Sequence, residues 1–277
     1  MKRSIRGHDV VATGLKNIAD CAREYGFEYI QLALDLSKEG FALGKFSEEY
    51  ANEIKNDLGD TKLSILSSYI NPSDRNPETL AVSLEKFKDK IHYASILKPL
   101  AVGTETGVYR DADGNSLNHT EEAYQYVLKN IKELVDEAEK YDVNVAVEGV
   151  HAFVINSPER LARLINDIDS ENIKAIFDPV NYITADNYKD QDKMITEMFE
   201  LVGKKIVAIH AKDFVIEDGK VKNVQYIGGC NGNLKGIAAL AKGQKISDVK
   251  QRLTGITCGG KNTSCPDQFA QLLAAIQ

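Results

Sequence analysis

The sequence predicts an α/β fold, one barrel of parallel strands with helices outside, spanning residues 1–277 as a single domain. Three observations predict it. Short apolar runs alternate with helix-spaced amphipathic stretches about every 30 residues, the order that builds a parallel sheet covered by helices. The runs are apolar almost without a break, as parallel strands buried on both faces are. Three of them (143–151, 173–179 and 205–213) finish in residues able to bind a divalent metal, and barrels gather functional groups at the C-terminal ends of their strands. The competing arrangement is an open doubly wound sheet. No Gly-x-Gly-x-x-Gly follows an early strand, so its dinucleotide-binding form lacks a signature.

The elements follow in order. Residues 4–10 form a short first strand, with Arg6 and His8 in alternate positions facing the same way. A helix over 11–25 carries Leu15, Ile18, Ala19 and Ala22 on one side and is closed by Gly26. A second strand covers 27–34. Ser47 followed by Glu48 and Glu49 opens a helix that runs to 58. The third strand, 62–70, ends at Asn71-Pro72. A helix over 77–95 buries Leu80, Leu84, Phe87, Ile91 and Ala94. The fourth strand, 101–104, runs into Glu105. A turn-rich loop (111–115) precedes a long helix from Thr120 to Tyr141. The fifth strand carries Glu148. Ser157-Pro158-Glu159 starts a helix that reaches Ile168, with Pro at the first helical position. The sixth and seventh strands are joined by a helix over 193–202.

Composition bounds the function. With 43% hydrophobic and 27% charged residues the chain is ordinary globular protein, and its length suits a barrel of about 250 residues. No apolar run reaches the roughly 18 residues of a membrane span, so no membrane association is expected. The N-terminus is basic but lacks the apolar core of a signal peptide, which predicts a cytoplasmic location. Cys21, Cys230, Cys258 and Cys265 form no CxxC pair and are expected to be free thiols. A net charge of −7 argues against nucleic acid as a partner. The charge is uneven: residues 218–277 hold eight Lys+Arg, three Asp and no Glu, whereas residues 1–217 carry 26 basic against 38 acidic residues. An altered reading frame near residue 218 is one hypothesis for that break, and resequencing the gene tests it.

The chemistry centres on Glu148, Asp178 and His210, which end three consecutive strands. Two hard oxygens and one imidazole suit Mn²⁺, Mg²⁺, Co²⁺ or Zn²⁺. The bland alternative makes each a polar strand-end residue that caps a nearby helix. One such residue fits that alternative; three in register do not.

These stretches carry a resemblance. Val145-Ala146-Val147-Glu148, Ile176-Phe177-Asp178-Pro179-Val180-Asn181 and Ala208-Ile209-His210-Ala211-Lys212-Asp213 resemble the xylose-isomerase-like barrel family of sugar isomerases and epimerases, relatives of the endonuclease IV type of DNA-repair enzyme. Weaker matches are Arg6-Gly7-His8-Asp9, Glu28-Tyr29-Ile30-Gln31-Leu32-Ala33 and Val102-Gly103-Thr104-Glu105-Thr106-Gly107. Together they cover residues 1 to about 217. The resemblance implies a (β/α)8 TIM barrel and one divalent metal held by Glu148, Asp178 and His210. It also implies proton transfer through an enediolate beside a sugar carbonyl, with Glu148 both binding metal and moving the proton. The family pairs that residue with a second glutamate on its last strand. The corresponding stretch here, 253–264, holds no carboxylate.

Further candidates surround this centre. Lys212 shares the parity of His210 and is expected to join Glu148 in catalysis, meeting a phosphate or hydroxyl. Asp213 would orient an imidazole. Arg6, His8, Glu105 and His151 are expected to face substrate, whereas His92 and His119 sit in helical surroundings and serve structure or solvent. The expected activity is isomerisation or epimerisation of a small sugar or polyol, in a monomer or an oligomer. A metal-dependent dehydratase on the same scaffold, or a barrel that binds without turnover because the last glutamate is missing, are the alternatives. An endonuclease would want more His and Glu ligands and a basic groove.

Overall fold

Helix starts are where the sequence most directly dictates structure. In the computed structural model, which describes residues 2–7, 10, 12–33, 43–184, 187–210, 212–217, 220–226, 231–258 and 264–274, three helices begin at the expected caps Ser47, Thr120 and Ser157, and a fourth at Asn76. The Ser47 hydroxyl accepts from Tyr50 N–H, and Asn76 accepts from the amides of Glu78 and Thr79 just ahead of Pro77. Thr120 accepts from Ala123, and Ser157 from Arg160. Each cap satisfies amides that the helix itself leaves without partners.

The described chain forms two units: Met1–Phe177 with Glu197–Ile209, and Asp178–Thr196 with His210–Gln277. In the first, seven strands alternate with helices: β1 Ser4–Arg6, α1 Leu15–Glu24, β2 Tyr29–Ala33, α2 Glu48–Leu58, β3 Lys62–Ser67, α3 Pro77–Leu97, β4 Ala101–Glu105, α4 Glu121–Glu139, β5 Val145–Glu148, α5 Pro158–Ile168, β6 Ile173–Phe177 and, after α6 Gln191–Val202, β7 Ile206–Ile209. The strands lie side by side in chain order, every neighbouring pair parallel. That order, with a helix after each strand, is the TIM-barrel arrangement. Both faces of the strands are covered. Ile65, Ala101, Ala146 and Ile176 pack together with Val207 and Ala208 on one face, while Val145 and Val147, of opposite parity, are fully buried on the other.

Gly103 belongs to the same inner face as Ile65 and Ile176. A Cβ there would stand 2.7 Å from Ile65 Cγ2 and 2.8 Å from Ile176 Cδ1. Any larger residue would have to displace the two isoleucine side chains, which already fill the space.

The second unit differs from expectation. The run 205–213 is not one strand: β7 stops at Ile209, and β8 Lys212–Glu217 pairs antiparallel with β9 Lys220–Tyr226. The physical reason is written between them, because Asp218-Gly219 flanked by apolar alternation is a strong hairpin signal. Helices α7 Asn231–Ala241, α8 Ile246–Leu253 and α9 Cys265–Ala274 follow. The Val221 N–H donates to Gln244 O (3.0 Å) and the Gly243 N–H to Val221 O (2.7 Å), tying β9 to the turn after α7. Val221, Val224, Leu234, Ile237, Ile246, Val249, Phe269 and Leu273 form this unit's own core.

The stretch expected to hold a last parallel strand, 253–264, instead contains the end of α8 and an exposed turn; 259–263 lie outside the described residues. The turn is held by Gly255 N–H donating to Asp267 Oδ1 (2.6 Å) and by the Ser264 hydroxyl donating to Ile256 O (2.6 Å). Among the described residues no eighth strand joins the parallel sheet, and no helix is long and apolar enough to cross a membrane. Cys21, Cys258 and Cys265 are free thiols, as expected; Cys230 lies outside the described residues.

Candidate metal centre

Strand register sets the positions of the charged residues. Glu148 ends β5, level with Glu105 on β4 and with Ile176 on β6. In a parallel ladder, paired residues point to the same face. Glu148 therefore shares the face of Ile176 and of Ala146 two residues earlier, which is the inner one. Asp178 follows the last residue of β6 and His210 the last residue of β7. Phe177 and Ile209 are themselves paired, so the two strands release these residues at the same level.

Glu148 is buried, Asp178 is fully buried, and the His210 side chain is 17% exposed. His210 Nδ1 lies 3.7 Å from Asp178 Oδ2. Each of the three residues offers one ligand atom, and these atoms lie within 4.8 Å of one another. Atoms bound to one ion at about 2.0–2.2 Å are at most about 4.4 Å apart, so small side-chain rotations bring all three to a common ion. The donor set fits a divalent cation for a second reason. Two carboxylates buried this close repel and have lost hydration, a cost that a dication offsets.

A second polar group lines the first unit's strand ends. Arg6, which ends β1, is paired with Gln31 on β2. Gln31 Nε2 donates to Ser67 Oγ at 2.9 Å, with both residues buried. Two residues on stands Tyr69. Burial raises the Tyr69 phenol well above its usual value. The Arg6 charge pulls it down, the Glu148 and Glu105 carboxylates push it up, and a hydrogen bond from the Ser67 side chain lowers it. Arg6, Tyr69, Glu105 and Glu148 thus share one electrostatic neighbourhood, as placed by the ends of β1, β3, β4 and β5.

Of the residues singled out from sequence, Glu148, Asp178 and His210 come together, Glu105 stands level with Glu148 on the neighbouring strand, and Arg6 ends β1 opposite Gln31. His151 lies half-buried in the turn after β5. Lys212 and Asp213 open β8, so they do not extend the parity of His210 along a barrel strand; their side chains lie outside the described residues, as does His8. Elsewhere, His92 Nε2 meets Glu137 Oε1 at 3.0 Å, and His119 Nδ1 meets Asn156 Nδ2 at 2.6 Å. Gln31, Ser67 and Tyr69 escaped the sequence reading. The signal was present: polar residues at alternate positions near the ends of otherwise apolar runs.

With this geometry in place, comparison with known proteins decides the family. Residues 19–242 match the family described as xylose isomerase-like TIM barrel. The chain belongs to that family.

This xylose isomerase-like barrel is similar to the uncharacterized protein MJ1311 of Methanocaldococcus jannaschii, 27% identical over 149 residues. That match covers 53% of this chain and 48% of MJ1311, so the chain spans about half the length of the curated relative it matches. Among solved structures it is similar to a D-tagatose 3-epimerase-like protein (TM-score 0.61, 18% identity, 80% of each chain). It is also similar to the IOLI protein solved with a bound zinc atom (TM-score 0.59, 17% identity, 80% of this chain and 78% of that one). At such identities the likeness is one of fold. The family match runs past the composition break at residue 218, so family likeness does not stop where the charge balance changes.

Proposed function

We propose that this barrel is a divalent-metal-dependent isomerase or epimerase of a small sugar or polyol. The observation that carries the reading is the delivery of Glu148, Asp178 and His210 from the ends of three adjacent parallel strands to within 4.8 Å. These three residues would hold the ion, with Mn²⁺, Mg²⁺, Co²⁺ and Zn²⁺ all compatible with the donor set. A divalent ion held there would supply Lewis-acid polarisation of a substrate carbonyl.

The protein's own part is proton movement. A Glu148 oxygen removes the proton from the carbon beside the carbonyl, and the electron pair moves toward the carbonyl oxygen to give an enediolate. The same carboxyl returns the proton to the adjacent carbon while the hydroxyl proton crosses to the former carbonyl oxygen. One base on one face completes an aldose–ketose interconversion, whereas inversion at a single carbon needs a second acid on the opposite face. No Glu occurs after residue 217, which favours the isomerase over the epimerase.

Two measurements test this. Purified protein dialysed against Mn²⁺ or Zn²⁺ and analysed by mass spectrometry should carry about one ion per chain. A Glu148→Ala, Asp178→Ala double variant should carry none; a wild type without metal overturns the proposal. Metal-loaded protein mixed with aldoses and ketoses in D₂O should place deuterium on the carbon beside the carbonyl. Metal binding without exchange on any of the panel would instead favour a barrel that binds sugar without turnover, the reading to which the missing last glutamate points.

A further inference from the structure

The chain leaving β5 is fastened to the chain leaving β4 by bonds outside any helix or strand. In the turn after Glu148, Val150 N–H donates to Ile155 O (2.9 Å) and Phe153 N–H to Val150 O (2.8 Å), so residues 150–155 close on themselves. Three more bonds tie this turn outward. Ile155 N–H donates to the Thr106 hydroxyl oxygen at 3.1 Å, Val154 N–H to Gly107 O at 3.2 Å, and Asn118 Nδ2 to Ala152 O at 2.6 Å. Asn118 Oδ1 accepts from Tyr109 N–H at 2.7 Å, which anchors the third bond to the same segment. The chain leaving β3 joins from the other side. The Ser73 hydroxyl donates to Thr106 O, and the Asn71 side chain lies so close over Gly107 that a Cβ there would stand 2.0 Å from Asn71 Oδ1. Thr106 is therefore bonded through its hydroxyl to one loop and through its carbonyl to another. Thr106, Ser73, Val154 and Ile155 are all fully buried, so water does not replace a bond lost among them.

We propose that Thr106 is a positioning residue: its hydroxyl fixes the turn that carries His151, making that turn a preformed wall after Glu148 and not a lid that closes on a ligand. Thr106 directly follows Glu105, which is level with Glu148, so the wall is built where β4 and β5 end. A turn already closed by its own bonds loses little freedom when a ligand arrives, which favours tight and geometrically selective binding. What the wall encloses rests on the reading of the strand ends as a sugar site; the wall itself does not.

The test is hydrogen exchange of the full chain, read by mass spectrometry in peptides covering residues 149–156. In the wild type these amides are protected without added metal or sugar, and Mn²⁺ with D-fructose changes their exchange by less than about twofold. Thr106→Val keeps the shape of the side chain and removes the acceptor, and it speeds exchange of the turn about tenfold, as loss of one buried hydrogen bond does. Thr106→Ser, which keeps the hydroxyl, exchanges as the wild type does. Labelling with diethyl pyrocarbonate reads the side chain: His151 reacts severalfold faster in Thr106→Val than in wild type or Thr106→Ser, while His92 on α3 keeps its rate. A turn protected only once Mn²⁺ and sugar are present, unchanged exchange in Thr106→Val, or His92 labelling that rises together with that of His151 overturns the proposal. If Thr106→Val does not fold, Asn118→Ala, which removes the bond to Ala152, is read in the same way. Metal content tests the proposed function separately. A preformed turn in a protein that binds no metal sinks only the metal mechanism, and metal binding with a turn that orders on the ligand sinks only the role of Thr106.

Discussion

At the residue scale, one missing atom shapes the inner face. Gly103 leaves room for Ile65 and Ile176 to meet, and both side chains are almost fully buried. Gly103→Ala places a methyl group within 3 Å of each. The strand conformation itself tolerates alanine, so the cost is overpacking, about 1–3 kcal/mol. Chemical denaturation should show that loss with an unchanged dependence on denaturant. A variant as stable as wild type would mean that the isoleucines repack freely. The same scale explains what the sequence concealed. Glu148, Asp178 and His210 were legible because each is a metal-binding residue type that closes an apolar run. Gln31 and Ser67 were not, because glutamine and serine are common at strand ends and only the pairing of β2 with β3 brings them together.

At the scale of elements, α4 and α5 are linked by a bidentate ion pair. Arg163 donates to both oxygens of Glu121, at 2.8 and 2.6 Å. Hydrogen bonding by Arg163 holds the Glu121 carboxyl well below its usual value of 4.5, at about 2. The folded state therefore favours the ionised form, so the pair's contribution is complete above about pH 4.5 and disappears as pH falls toward 2. Both side chains are largely exposed, which keeps the effect small. Arg163→Ala should lower the melting temperature slightly and by a constant amount between pH 7 and pH 5. The gap to wild type should close as pH falls from 4.5 toward 2. A gap that persists at pH 2 would assign the loss to the packing of Arg163 over the Tyr124 ring. The helix starts on these elements were readable because capping is local, settled by three or four consecutive residues. The β8–β9 hairpin was equally local in its Asp218-Gly219 signal, yet an apolar run leading out of His210 reads just as well as a longer barrel strand.

At the scale of the whole molecule, the charge break at residue 218 falls just after a change of architecture, inside the β8–β9 hairpin. The parallel strands β1 to β7 all precede it, and the segment beyond it supplies β9 and three helices with their own core. Its apolar residues keep helical spacing, Leu234, Ile237 and Ala241 on α7 and Phe269 and Leu273 on α9. Phe269 is 2% exposed. Phe269→Ala should remove about 3–5 kcal/mol from this unit. Hydrogen exchange read by mass spectrometry should then speed up in peptides of α7, α8 and α9. Unchanged exchange there would show that Phe269 is not a core residue of the folded protein.

The sequence by itself determined the parallel α/β class, the order and starts of most elements, and the three residue types of the metal centre. All of these rest on short-range physics: periodicity, capping, and the residue that terminates an apolar run. Only the tertiary structure decided that Glu105 stands level with Glu148, that Gln31 bonds Ser67 across neighbouring strands, and that the chain after His210 turns into an antiparallel hairpin. Those relations join residues tens of positions apart, and strand register, which no local pattern encodes, is what sets them.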